Sequence, residues 1–216
     1  MPGKHVRFSD DDVVYPTPSL SATSSLPSSY GSDVGPMTPP NGPNLYMPLN
    51  MGVPAAIHPV LEFAKGAIPP LLFDVTLPAE NVKPSMTNIP PQVLGTPATN
   101  QQLSTLILVH PRLGRWQITV QPAKGKVVLV QDVLNAIYTS LRQQASGTDF
   151  ESLPPAAQVE VTAAFTRRWT RMPTPQTQKI EKSKGLKRVD FLGSTVTFAG
   201  LLKSQFGPNC WELMMS

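Results

Sequence analysis

From residue 130 onward, apolar positions recur with helical spacing. Val130, Val133, Leu134, Ile137, Tyr138 and Leu141 fall at offsets of 3, 4, 7, 8 and 11, which is one face of a 3.6-residue period. The pattern predicts a helix over about 131–144. Asp132 falls in its first turn, where a carboxylate favours the helix dipole, and Ala145-Ser146-Gly147 ends it. A second helix is predicted from Pro154-Pro155, since proline is tolerated in a first turn, to about Arg171. Its inward positions are expected to be Val161, Ala164, Phe165 and Trp169.

Around these helices lie short apolar runs that read as strands. Leu71 to Leu77 is bracketed by Pro69-Pro70 and Pro78. Thr105–Val109 and Trp116–Val120 are separated by His110 to Arg115, which predicts a hairpin with a wide turn. Lys126–Leu129, Lys187–Leu192, Thr195–Phe198 and Cys210–Met214 are further strand candidates, and 172–184 reads as a long irregular connection. Strands, then helices, then strands predict an α+β fold. The expected architecture is a mostly antiparallel sheet of four or five strands with two main helices on one face.

The N-terminal quarter has no such pattern. Of its first 54 residues, 23 are Pro, Ser or Gly, and ten of the chain's 25 prolines lie there. Such a stretch cannot bury enough apolar surface to offset chain entropy. We therefore divide the chain into a disordered Pro/Ser/Gly-rich tail, 1–54, and one domain, 55–216, long enough to bury a core. The single cysteine, Cys210, excludes an internal disulfide and fits a reducing compartment. No secretory pattern opens the chain, and no apolar run is long enough for a membrane span. A cytoplasmic or nuclear location is expected.

The tail carries the one sequence feature that suggests a particular protein partner. Lys4-His5-Val6-Arg7-Phe8 is followed by Ser9 and three aspartates, Asp10 to Asp12. In an extended chain alternate residues face the same way, so Val6 and Phe8 can fill adjacent apolar pockets while the backbone adds a strand to a sheet edge. The segment resembles the short motif by which regulatory proteins dock the catalytic subunit of protein phosphatase type 1, with Lys4, Val6 and Phe8 in the anchoring positions. Ser9 lies where an acidophilic kinase would act, and a phosphate there would set about −1.5 to −2 charges beside Phe8. Thr17-Pro18 and Thr38-Pro39 are candidate proline-directed sites. The docking pattern is loose, with a chance match in a chain this long expected at a probability of roughly 0.3. Lys187-Arg188-Val189-Asp190-Phe191 also fits it, but within an apolar stretch that reads as core.

The net charge of +4 conceals a basic segment. Residues 167–188 hold Arg167, Arg168, Arg171, Lys179, Lys182, Lys184, Lys187 and Arg188 against Glu181 alone. With Trp169 among them, this is the segment that would serve nucleic-acid binding, by phosphate neutralisation and base stacking. Catalytic patterns are thin. His5, His58 and His110 have no ligand partner at helical spacing, and no zinc pattern, phosphate loop or nucleophile elbow occurs. Cys210 reads as a buried thiol. Asp74 and Asp190 are each a lone carboxylate in an apolar run; sharing one pocket, they could do acid–base work, and otherwise each needs a hydrogen-bonding partner. No cofactor or metal is expected, and the leading expectation is a non-enzymatic interaction or regulatory protein.

Four blocks carry a family resemblance: Pro70-Leu71-Leu72-Phe73-Asp74-Val75, Asp132-Val133-Leu134-Asn135-Ala136-Ile137-Tyr138, Gly185 through Gly193, and Trp211-Glu212-Leu213. Together they resemble a domain of unknown function widespread in mushroom-forming basidiomycete fungi, over about residues 57–215. Members often begin with a basic Val-x-Phe-Ser/Ala-Asp segment before a Pro/Ser-rich linker. The resemblance implies a single domain and supplies no catalytic residue or cofactor.

Overall fold

The computed structural model describes residues 54–85 and 89–216. Helix α1, Val130–Leu141, is the one that the apolar period predicts. Val130, Val133, Leu134, Ile137 and Leu141 are all essentially inaccessible, and Tyr138 is half-buried. The Asp132 carboxylate accepts from the Leu129 N–H at 2.9 Å and so closes the first turn. The apolar face of α1 belongs to the same core as Leu106, Leu108, Ile118, Val120, Trp211 and Leu213.

Those residues sit on a four-stranded sheet. Strands β3 (Leu106–Val109) and β4 (Ile118–Val120) form the predicted hairpin. The last two strands, β5 (Phe198–Lys203) and β6 (Cys210–Met215), form a second antiparallel pair. Strand β6 inserts beside β3 in parallel, giving the order β4-β3-β6-β5. The sheet thus has the expected four strands, and two of its three ladders are antiparallel, but the parallel β3–β6 pairing makes it mixed. A separate two-stranded ladder pairs β1 (Leu71–Leu72) with β2 (Lys83–Pro84).

The outer edge of β5 is covered by chain. Leu201 N–H donates to the Leu61 carbonyl at 2.7 Å, Phe63 N–H returns to Leu201 at 3.0 Å, and Phe198 N–H reaches Phe73 at 2.8 Å. An edge paired in this way offers no template for a second chain.

Three expectations fail for local reasons. The run Leu71–Leu77 extends as a strand for only two residues, because Asp74 starts a turn: its carboxylate accepts from Thr76 N–H at 2.9 Å and its carbonyl from Leu77 N–H at 2.9 Å. Lys126–Leu129 is not a strand of either sheet, although Val128 exchanges backbone bonds with Ala98 and Leu103. Lys187–Leu192 is not a strand; Arg188–Leu192 is a 3-10 turn with Val189, Asp190, Phe191 and Leu192 all buried in succession. A short unbroken apolar run does not distinguish strand from helical turn, and here the Asp190 carboxylate decides by accepting from Lys187 N–H at 2.8 Å.

The second half of the domain carries three more helices. Helix α2 is Gly147–Glu151, and α3, Pro155–Thr170, matches the second predicted helix. Residues 172–184 are not irregular: they contain α4, Pro175–Ser183, with the Thr174 hydroxyl capping the Thr177 N–H at 3.2 Å. Helix α3 packs mainly on α4 and on the 188–192 turn, so the two main helices do not share a sheet face. Its buried stripe is Val161, Ala164 and Arg168, while Phe165 and Trp169 are half-exposed.

At Gly200, with φ of +135°, an added Cβ would lie 2.6 Å from the Phe63 Cα. Gly200→Ala is expected to cost at least about 2 kcal/mol, through the strained backbone and the displaced 61–63 segment. Gly95→Ala, where nothing lies within 4 Å, should stay within about 0.5 kcal/mol of the parent. Urea unfolding of both variants checks the contrast.

Candidate functional site

A guanidinium stands where the α3 stripe calls for an apolar residue. Arg168 is 7% exposed, at the meeting point of α3, α4 and the 188–192 turn. Its Nε and Nη2 donate to the two oxygens of Asp190 at 2.8 and 2.9 Å, a two-pronged pairing. The Nη2 also donates to the Gly185 carbonyl at 2.8 Å, and Nη1 to Glu181 at 2.5 Å. Glu181 in turn accepts from Lys187 at 2.5 Å and from Lys184 at 2.9 Å, with Arg142 3.6 Å away. Four of the five donor hydrogens of Arg168 are thus engaged within the protein.

The electrostatics follow from burial set against pairing. Burial alone would raise the Glu181 pKa, but hydrogen bonds from Lys187, Lys184 and Arg168 hold it at about 2. Burial would lower the pKa of Arg168; Asp190 and Glu181 raise it instead. For Lys187 burial prevails, assisted by Arg142 and Arg168, and its pKa falls despite the bond to Glu181.

Above this network opens a pocket of about 210 Å³. Arg142, Arg167, Arg168 and Arg171 line it together with Asp190, and Leu77, Ala164, Met172, Val189 and Val196 give it apolar walls. Arg167 and Arg171 are one helical turn apart on α3, a spacing that sets both on one side. Arg142 comes from the C-terminal cap of α1. These three are held loosely. Arg167 reaches the Gly193 carbonyl at 3.5 Å, and Arg171 reaches Asp74 at 3.5 Å and the Thr76 hydroxyl at 3.2 Å.

The sequence candidates divide accordingly. Lys4, Val6, Phe8, Ser9, Thr17 and Thr38 lie outside the described residues. Asp74 and Asp190 both come to α3, but each is bound to its own arginine, Arg171 and Arg168, and Asp190 lies in a 3-10 turn and not a strand. The basic segment does not form one solvated face. Arg168 and Lys187 are buried, Lys184 pairs with Glu181, Lys182 sits over the Trp169 ring at 5.1 Å, and Arg188 sits over Trp116 at 5.3 Å. Lys179 is exposed. The second docking-pattern match is closed by the burial of Val189 and Phe191. Sequence reasoning missed Arg142 and Thr76. Arg142 follows the last apolar position of α1, but nothing in the pattern connects it to residues 25 or more positions further on.

Among the described residues no cluster of three or more His, Cys, Asp or Glu is arranged to hold a metal ion, and no helix is long and apolar enough to cross a membrane. Cys210 is buried. The molecule is thus an α+β domain with an arginine-walled pocket above a buried ion network. A family of unknown function, DUF6699, matches residues 71–210, and the chain belongs to that family. No curated protein and no solved structure matches it.

Because the Glu181 pKa lies at about 2 in the fold against an ordinary 4.5, its ionised form is favoured by folding. That stability is fully present above about pH 4.5 and is lost as pH falls towards about 2, on the order of 3 kcal/mol in total. Glu181→Gln should lower stability at neutral pH, since Lys187 loses its buried partner, and should flatten the acid limb. Urea midpoints measured between pH 2 and 7 on both proteins test this.

Proposed function

We propose that the protein works by binding and not by catalysis, with the folded domain recognising an anionic group in the arginine-walled pocket. The observation that carries this reading is the unequal use of the four guanidiniums. Arg168 has four of its five donor hydrogens taken by Asp190, Glu181 and Gly185, whereas Arg142, Arg167 and Arg171 face the same cavity through contacts of 3.2 Å or longer. Of the two carboxylates that suggested acid–base chemistry, Asp190 is tied to Arg168 by two short bonds and Asp74 accepts from the Thr76 N–H and hydroxyl, which favours recognition over proton transfer. Sulfate should raise the thermal unfolding midpoint of the full-length protein above its value in chloride at matched ionic strength, as a ligand of the native state does. Arg167→Gln should remove most of that difference. An identical response to the two salts in the parent protein would count against the pocket.

A second part of the proposal concerns the tail. The residues Lys4, Val6 and Phe8, with the acidic flank Asp10 to Asp12, support docking to the catalytic subunit of protein phosphatase type 1 in the cytoplasm or nucleus. Burying Val6 and Phe8 contributes roughly 1.5–3 kcal/mol each, against about 1–2 kcal/mol for every residue ordered, so the tether is weak and reversible. Immobilised full-length protein should retain the purified phosphatase subunit, and the double variant Val6→Ala/Phe8→Ala should not. Equal retention by the two proteins would rule the motif out.

A further inference from the structure

Charge and volume at the arginine-walled pocket specify more than an anion. Arg142, Arg167, Arg168, Arg171, Lys184 and Lys187 surround it or its floor, against the carboxylates of Asp74, Glu181 and Asp190. Six cations against three anions leave a surplus of three. The C-terminal ends of α1 and α3, which bring in Arg142 and Arg171, each offset about half a charge. The net is about +2 at a recess with apolar walls, its inner cations Arg168 and Lys187 buried and its outer ones, Arg167, Arg171 and Lys184, open to water.

A carboxylate would satisfy half of that surplus and offers two oxygens. A phosphate monoester carries close to two negative charges at neutral pH and offers three, which suits guanidinium forks arriving from α1 and from two successive turns of α3. Inorganic phosphate alone would leave most of the space empty. A cavity of about 150 Å³ is enough to hold benzene, so about 210 Å³ has room for a phosphate joined to a compact apolar body against Leu77, Ala164, Met172, Val189 and Val196. On these grounds we infer that the pocket takes a phosphate monoester with a small apolar body. The inference rests on the anion-binding reading above and narrows it. Such a group is found both on free small molecules and on phosphorylated side chains, so both sources belong in the test.

The test is calorimetric titration of the full-length protein with phenyl phosphate, inorganic phosphate, benzoate, and a short peptide containing phosphotyrosine. Phenyl phosphate is expected to bind saturably, at least fivefold tighter than inorganic phosphate and tenfold tighter than benzoate. In Arg142→Gln/Arg167→Gln its affinity should fall at least tenfold while the ligand-free unfolding midpoint stays within a degree or two, since neither side chain is buried. A peptide that binds more tightly than phenyl phosphate would identify a phosphorylated protein as the source; weaker or equal binding would identify a free small molecule. Benzoate binding as well as phenyl phosphate would overturn the monoester inference and leave an anion site in place. No saturable binding by any of the anions would overturn both. Undiminished binding by the double variant would overturn the location.

Discussion

Arg168 holds together three pieces of chain that the sheet does not reach. Its guanidinium takes the Asp190 carboxylate from the 188–192 turn, Glu181 from α4 and the Gly185 carbonyl from the link between them. Helix α3 has no apolar residue at that point of its buried stripe, so ion pairing makes the junction there, beside the small apolar cluster that joins Val161 of α3 to Phe191 of the turn. Placing these charges away from water is expensive, and a buried pair of this kind contributes little net stability compared with apolar residues of the same size. What it contributes is geometry. A two-pronged arginine–carboxylate contact tolerates little misalignment, and the Asp190 oxygen that accepts from Arg168 also accepts from Lys187 N–H, which fixes the turn.

Most of the net stability lies elsewhere, in the apolar contact between α1 and the four-stranded sheet. Trp211, Leu213, Leu106 and Leu108 on the strands and Leu134, Ile137 and Leu141 on the helix are almost wholly removed from water. Removal of each such side chain from water is worth about 1.5–3 kcal/mol. The domain thus has an apolar half, which the pattern of the sequence describes well, and an ionic half, which it does not.

That division explains how much was legible. Helix α1 was readable residue by residue, because its apolar face has a period and its buried positions are apolar apart from Asp132, which closes the first turn. The β3–β4 hairpin and β6 were readable for the same reason. The parallel pairing of β3 with β6 was not, since no local pattern records which distant strand lies alongside. In the ionic half the rule that charged residues face water fails. Arg168 and Lys187 counted as surface charges in a segment with seven excess positives, yet both are buried. Helix α4 is polar enough to pass for a loop, although Thr174-Pro175 is a usable start signal and Gly185, at φ +70°, a usable stop. Of the pocket, Arg167 and Arg171 could be singled out from sequence. Arg142 could not, because its role depends on where α1 ends relative to a helix that begins at residue 155.

An ion network that adds little stability over an apolar replacement raises the question of what it provides that leucine and methionine would not. An apolar replacement for Arg168, Glu181 and Asp190 could pack the same junction and keep α3 in place. It would also remove the charged floor of the pocket and leave Arg142, Arg167 and Arg171 above an apolar base. With the network present, the permanently charged guanidinium of Arg168 is held in place by Asp190, Glu181 and Gly185, and its remaining donor is fixed by the other four. Charge held in a fixed arrangement before a ligand arrives needs no reorganisation when one binds, which is the general advantage of a preorganised site. The three outer arginines supply charge through flexible side chains; the inner one supplies a fixed reference for them. The buried pairing thus forms the floor of the proposed anion site, and the turn at Asp190 serves that proposed site as well as the fold.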